Sequence, residues 1–254
     1  LKFILLQVKD ESACRRLQWN NLHACISFIC KLASKLEYHS YCSSMIKILL
    51  EVGSSLLSAS AVNAKDCFGL TPMHYLVLSY QHIIDNCSTT ITMELNSDIM
   101  KHNWKEAKDL HTELMKQICA VGFDISVRDR DGVPFVHWIS RAALADTFEN
   151  TMLRASLATN ETDKFGSTAL HYAAASNCTK TAELLLASGC NRDAKDDKQR
   201  TAGKFARLLG NGKLCRMMQD GEDRGDAVQW NLISSVESHF RYSADWENAV
   251  EWMR

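Results

Sequence analysis

The sequence has 254 residues, is 46% hydrophobic and carries 29 Lys and Arg against 30 Asp and Glu, for a net charge of -1. A chain of this size and apolar content can bury a real core, and its near neutrality gives no electrostatic reason to expect nucleic acid or an anionic membrane as partner. Its longest apolar stretch, around Ile46 to Leu50, is far shorter than the roughly 20 residues a membrane helix needs.

The chain opens without Met on a helix-like run, Leu1-Lys2-Phe3-Ile4-Leu5-Leu6, with no leader pattern, so a piece of a longer polypeptide is expected. Next comes Trp19-Asn20-Asn21-Leu22-His23-Ala24-Cys25. A sharper version of the same segment follows as Asp66-Cys67-Phe68-Gly69-Leu70-Thr71-Pro72-Met73-His74. Beyond it, Gln81 to Glu106 interrupts the pattern, with a polar loop expected at Asn86 to Thr90. Met100, Trp104, Ala107, Leu110, Leu114 and Ile118 then recur at three- and four-residue steps, and Ser97-Asp98 offers capping chemistry. This predicts one long helix from Asp98 to Ala120.

The segment returns as Asp129-Arg130-Asp131-Gly132-Val133-Pro134-Phe135-Val136-His137. It is clearest as Asp163-Lys164-Phe165-Gly166-Ser167-Thr168-Ala169-Leu170-His171, followed by the Leu-rich run Thr181 to Ala187 and Gly189. A last copy runs from Asp196 through Thr201 to Ala206, with Gly203 and Lys204 where the others carry Leu and His, and with Gly210-Asn211 between its two helices. After Gly221, Val228, Leu232, Val236 and Phe240 form an amphipathic stripe, and Trp246, Val250 and Met253 a later one. The tail 221–254 reads as a helical cap or as the start of a further domain.

From Asp163 to Asp196 is 33 residues, and the unit closely resembles the ankyrin repeat: a turn, a helix opened by a Thr-Pro-Leu-His type motif, a second Leu-rich helix, and a glycine. About five copies are expected over 1–220. The histidine steps of 51, 63 and 34 between residues 23, 74, 137 and 171 imply large insertions in two of them. Placement of single residues agrees with this reading. Pro72 and Pro134 stand at proposed helix starts, where a missing N–H costs little. Gly53, Gly122 and Gly189 follow second helices, while Gly69, Gly132 and Gly166 lie in the turns, both slots favouring positive φ.

The resemblance implies an all-α fold, a solenoid of stacked helix-turn-helix units with projecting β-turn fingers. It also implies a protein–protein interaction module, a scaffold or adaptor that binds another protein through its concave face and finger loops. The targeting or substrate-recognition module of a larger enzyme, such as a ubiquitin ligase complex, is the alternative. Carried over position by position, the partner-binding residues are Phe68, Leu70, Arg130, Asp131, Val133, Lys164, Phe165, Ser167, Lys198 and Arg200, with Cys67 beside them. Phe68, Arg130, Phe165 and Arg200 are the strongest candidate anchors, because aromatics and arginine dominate interface energetics. His23, Thr71, Pro72, His74, His137, Thr168 and His171 are the structural motif, the histidines linking backbone groups of neighbouring turns.

No nucleotide-binding, metalloprotease or nucleophile-elbow motif occurs, so no catalytic residues, cofactor or metal are expected. Ten scattered cysteines without a Cys-x-x-Cys pair suit a reducing compartment. Cys25, Cys119 and Cys215 read as small hydrophobes within helices. The expected state is an intracellular monomer, cytoplasmic or nuclear.

Overall fold

The computed structural model describes residues 16–33, 55–78, 98–141 and 160–218. The polar loop expected at Asn86 to Thr90 and the tail from Gly221 lie outside them. Two compact units divide the chain, Leu1–Asp124 with Asp245–Arg254, and Ile125–Ala244.

The first unit contains α1 (Asn21–Ala33), α2 (Ala59–Val62), a helical segment at 72–78, and α3 (Asp98–Ala120). α3 has the span its periodicity predicts. Its described buried face is His111, Leu114, Met115 and Ile118, four residues at helical spacing. α1 buries Leu22, Ala24, Cys25 and Ile26, and 72–78 buries Met73, Tyr75, Leu76 and Val77. Trp19 and His23 both meet the Tyr75 ring edge to face, with centroids 5.3 Å and 5.8 Å away.

The second unit contains α4 (Phe135–Arg141), α5 (Ala169–Ala175), α6 (Thr179–Ala187), α7 (Ala202–Leu208) and α8 (Gly212–Met217). α5 packs against α4, α6 and α7, and α8 against α6 and α7, so helix pairs stack one on the next. Ala173, Ala174, Ala182 and Ala206 are buried between them, where small side chains let helices approach closely. His137 stands edge-on to Tyr172 at 4.8 Å, and His171 to Phe205 at 5.6 Å. Each contact joins one repeat to its successor.

Within the pairs α5–α6 and α7–α8 the chain reverses through a left-handed residue, Asn177 (φ 58°) and then Gly210 (φ 72°), 33 positions on. Gly122 and Gly189 end second helices at φ 101° and 91°, as their slot requires. Among the described residues the only extended pairings are isolated antiparallel bridges, Arg128 with Pro134, Thr162 with Thr168 and Lys195 with Thr201. Each brackets one turn. No described helix is long and apolar enough to cross a membrane.

Candidate functional site: the turn row and its frame

Each turn is built around its aspartate. Asp163 Oδ1 accepts from the N–H groups of Phe165 at 2.8 Å and Ser167 at 2.9 Å. Asp66 does the same for Phe68 and Leu70, both at 2.9 Å, and Asp196 for Lys198 and Arg200, at 3.0 Å and 2.8 Å. The same carboxylates hold the following helix through Oδ2. Tyr75 donates to Asp66, Trp138 to Asp129 at 3.2 Å, and Tyr172 to Asp163 at 2.9 Å, every donor nine residues after its aspartate.

In the last repeat that donor is missing, because position 205 is phenylalanine. Arg200 takes its place. Its Nε lies 2.7 Å and its Nη2 2.6 Å from Asp196 Oδ2, and the guanidinium sits 4.7 Å from the Phe205 ring centroid. Burial pushes the Asp196 carboxyl up, but the Arg200 hydrogen bonds and charge outweigh it, and the net shift is downward. Asp129 has no such cation. Burial is the main cause of its upward shift, with Asp131 adding a smaller push.

The histidines tie turns together. His171 takes the Thr168 N–H on Nδ1 at 3.1 Å, which leaves Nε2–H to donate to the Arg200 carbonyl of the next turn at 2.9 Å. His137 reaches the Ser167 carbonyl at 2.9 Å and His23 the Leu70 carbonyl at 3.1 Å. The Thr71 N–H likewise donates to His74 Nδ1 at 3.0 Å. Asn20 stands in the threonine position of the first repeat, its Oδ1 accepting from His23 N–H at 2.8 Å. Burial lowers all four imidazoles, His74 to about 3 and His137 to about 4, so at neutral pH they are uncharged.

Pro134 departs from its expected role. Pro72 is the first residue of its helix, but Pro134 precedes α4 and occupies the threonine position. It offers His137 neither an N–H nor a hydroxyl, and His137 Nδ1 has no hydrogen-bond partner. The missing donor therefore matters at 134 and not at 72.

The ten expected contact residues, with Cys67 beside them, divide by their place in the turn. Arg130, Lys164, Phe165 and Lys198 are exposed, while Phe68, Asp131, Val133 and Cys67 are half-buried. Leu70, Ser167 and Arg200 are not on the surface at all: they are 3%, 0% and 3% exposed. The solvent-facing role expected of these three is corrected by that burial. All three occupy the position just before the helix-capping residue, and that position's carbonyl receives the preceding repeat's histidine, which draws it into the stack.

Recurrence at fixed offsets also marks residues that the motif reading passed over. Asn63 and Asn160 stand eight residues before Thr71 and Thr168, and their Oδ1 atoms accept from the Asp124 and Asn191 N–H groups, each at 2.8 Å. Turn-to-turn backbone bonds repeat as well, Cys67 N–H to Leu17 O and Asp197 N–H to Phe165 O, both at 3.0 Å. The Lys164 ammonium lies 2.9 Å from Asp131 and 5.2 Å from the Phe165 ring centroid.

A family model described as ankyrin repeats (three copies) matches residues 106–196 and again residues 136–224. Residues 106–224 are ankyrin repeats. Their fold is that of the all-α ankyrin solenoid, whose repeats serve in general as protein–protein interaction modules and are typically non-catalytic. No curated protein matches the sequence. The described ankyrin residues contain no group of three or more His, Cys, Asp or Glu placed to hold a metal ion. Six of their cysteines are free thiols, and burial pushes Cys25 up to about 12 and Cys190 to about 11, which suits packing rather than nucleophilic attack.

Proposed function

We propose that this chain is an adaptor that binds a partner protein through the turn row of its second unit, with Arg130, Lys164, Phe165 and Lys198 as the contact residues. One observation carries the reading: Phe165 is 38% exposed at the tip of a turn whose backbone is pinned by Asp163. An aromatic ring left partly in solvent on a pinned backbone has apolar surface to bury on binding, and its backbone loses little entropy there. Val133 and Asp131 complete the patch from the preceding turn, and Phe68 occupies the corresponding turn position in the first unit. Leu70, Ser167 and Arg200 belong to the frame. The six free thiols support placing the protein in an intracellular, reducing compartment, and the reading takes it as a monomer.

The test is the triple substitution Arg130→Ala, Phe165→Ala and Lys198→Ala in the full chain, with affinity capture and thermal melting measured side by side. The captured partner should be lost while the melting temperature stays within a degree or two of the parent. Retained capture by the folded variant would move the binding surface off the turn row.

A further inference from the structure

The backbone at Phe165 is held twice. Asp163 Oδ1 accepts its N–H at 2.8 Å, and from the following repeat the Asp197 N–H donates to its carbonyl at 3.0 Å. The two turns approach so closely that a Cβ at Gly166 would come within 3.1 Å of the Asp197 nitrogen. Such bonds belong to the frame, because they recur: Asp66 with Phe68 repeats the first and Cys67 with Leu17 the second. They fix where the side chain starts and leave its direction to other contacts.

The ring itself is met by an arrangement that does not recur. Lys164 Nζ lies 5.2 Å from the Phe165 ring centroid, within cation–π range, and 2.9 Å from Asp131 Oδ1 on the preceding turn. Elsewhere the same two turn positions hold Arg16 and Leu17, Cys67 and Phe68, Arg130 and Asp131, and Asp197 and Lys198, so no other described turn sets a cation directly before an aromatic. The Lys164 and Asp131 side chains are 49% and 35% exposed, and an ion pair so open to water adds little to stability. A contact that neither repeats nor stabilises the fold has its consequence at the ring.

We propose that Asp131 and Lys164 are positioning residues for Phe165: the carboxylate fixes the ammonium, and the ammonium fixes the direction of the ring that the partner protein meets. A lysine on its flexible four-carbon stem samples many directions, and Asp131 selects the one that lies over the ring. The patch is thus assembled across two repeats, an acid on one turn setting an aromatic on the next. A side chain ordered before contact has less entropy to lose on binding. The inference rests on Phe165 as the contact residue for its purpose, and on these distances alone for its mechanism.

Fluorine NMR of the full chain with 4-fluorophenylalanine at position 165 tests it without any partner. Asp131→Asn and Lys164→Gln should each move the resonance toward that of the free amino acid, and the two together no further than Lys164→Gln alone, because Asp131 acts only through Lys164. Lys164→Arg keeps both contacts and should stay near the parent. Melting temperatures should remain within a degree or two of the parent throughout, as an exposed ion pair requires. A resonance unmoved by Asp131→Asn overturns the proposal, and so does an additive double variant. A shift that comes with a clearly lower melting temperature overturns it too, by placing the pair in the folding frame. Release of the protein captured by the full chain should be about threefold faster from Asp131→Asn, the order expected for one loosened side chain. Equal release rates would leave the ordered ring without a role in binding and sink the inference. Capture that survives the triple substitution at Arg130, Phe165 and Lys198 is a different result, since it removes the contact role of Phe165 and leaves the resonance shifts as they are.

Discussion

Arg200 closes on Asp196 from four residues away, with Nε at 2.7 Å and Nη2 at 2.6 Å from Oδ2, and both side chains are shut off from water. Removing one partner of a buried pair leaves the other charge uncompensated. Arg200→Ala should therefore lower stability by about 3 kcal/mol in chemical denaturation. The neighbouring repeat suggests the remedy, since Ser167 and Tyr172 stand where Arg200 and Phe205 do. Arg200→Ser combined with Phe205→Tyr should recover most of the loss, the new hydroxyl donating to Asp196. If the double variant is no more stable than Arg200→Ala, the guanidinium is not standing in for a tyrosine.

Pro134 makes the opposite kind of prediction, a gain. Thr168 and Thr201 hold the same position with φ -94° and -90°, a backbone that suits threonine and lies beyond proline's usual range. Pro134→Thr supplies an N–H and a hydroxyl within reach of His137 Nδ1. Stability should rise by about 1 kcal/mol, the usual value of a restored cap. A lowered midpoint with an unchanged denaturant slope would show that proline's rigidity outweighs the missing bond.

Gln199 sits at φ 59° in the turn position that Gly69, Gly132 and Gly166 fill at 72° to 77°. A side chain there crowds the backbone, so Gln199→Gly should stabilise by roughly 0.5–1 kcal/mol. The reverse change is a control. At Gly166 a Cβ would come within 2.9 Å of Asp197 Oδ1, and Gly166→Ala should lower the melting temperature. Were Gln199→Gly to lower it as well, a contact of the glutamine side chain would have to outweigh the strain.

The buried histidines give the fold an acid limit. Their folded pKa values lie below the ordinary 6.5 because burial disfavours the charged ring, so the unfolded chain takes up protons first. The stability they contribute is complete above pH 6.5 and is lost as pH falls towards about 4, the value for His137. That one group accounts for a loss on the order of 3 kcal/mol over the window. Asp196, shifted downward, adds to the decline at still lower pH, whereas Asp129, shifted upward, opposes it. Melting temperatures from pH 7.5 to 4 should fall most steeply between 6.5 and 4, and less steeply in His137→Gln. A flat profile across that range would show that these rings are not buried as neutral groups.

Much of the architecture was legible in the sequence because it is written in local patterns. The 33-residue step from Asp163 to Asp196, the α3 span and the turn glycines each reflect contacts between residues close along the chain, where apolar period and positive φ leave a visible signature. The candidate site was legible only in part. Position in the repeat indicated where Phe165, Lys164, Arg130 and Lys198 would lie, yet the same rule failed for Leu70, Ser167 and Arg200.

What the tertiary structure alone decided is the fate of groups whose partners lie a full repeat or more away. His23 and Leu70 are 47 residues apart and His171 and Arg200 are 29; the repeat motif implies that each histidine reaches a neighbouring turn, but nothing in the local sequence of Leu70 or Arg200 announces the burial that comes with it. Arg200 reads from its neighbours as an exposed cation on a turn, but the His171 bond to its carbonyl draws the position inward, and the missing hydroxyl on Phe205 leaves Asp196 for its guanidinium. Pro134 reads as a helix start until its missing N–H is set against His137. In a stacked repeat the pattern within each unit is local and visible, whereas a polar group's exposure depends on which hydrogen bonds remain unsatisfied once the next unit has docked.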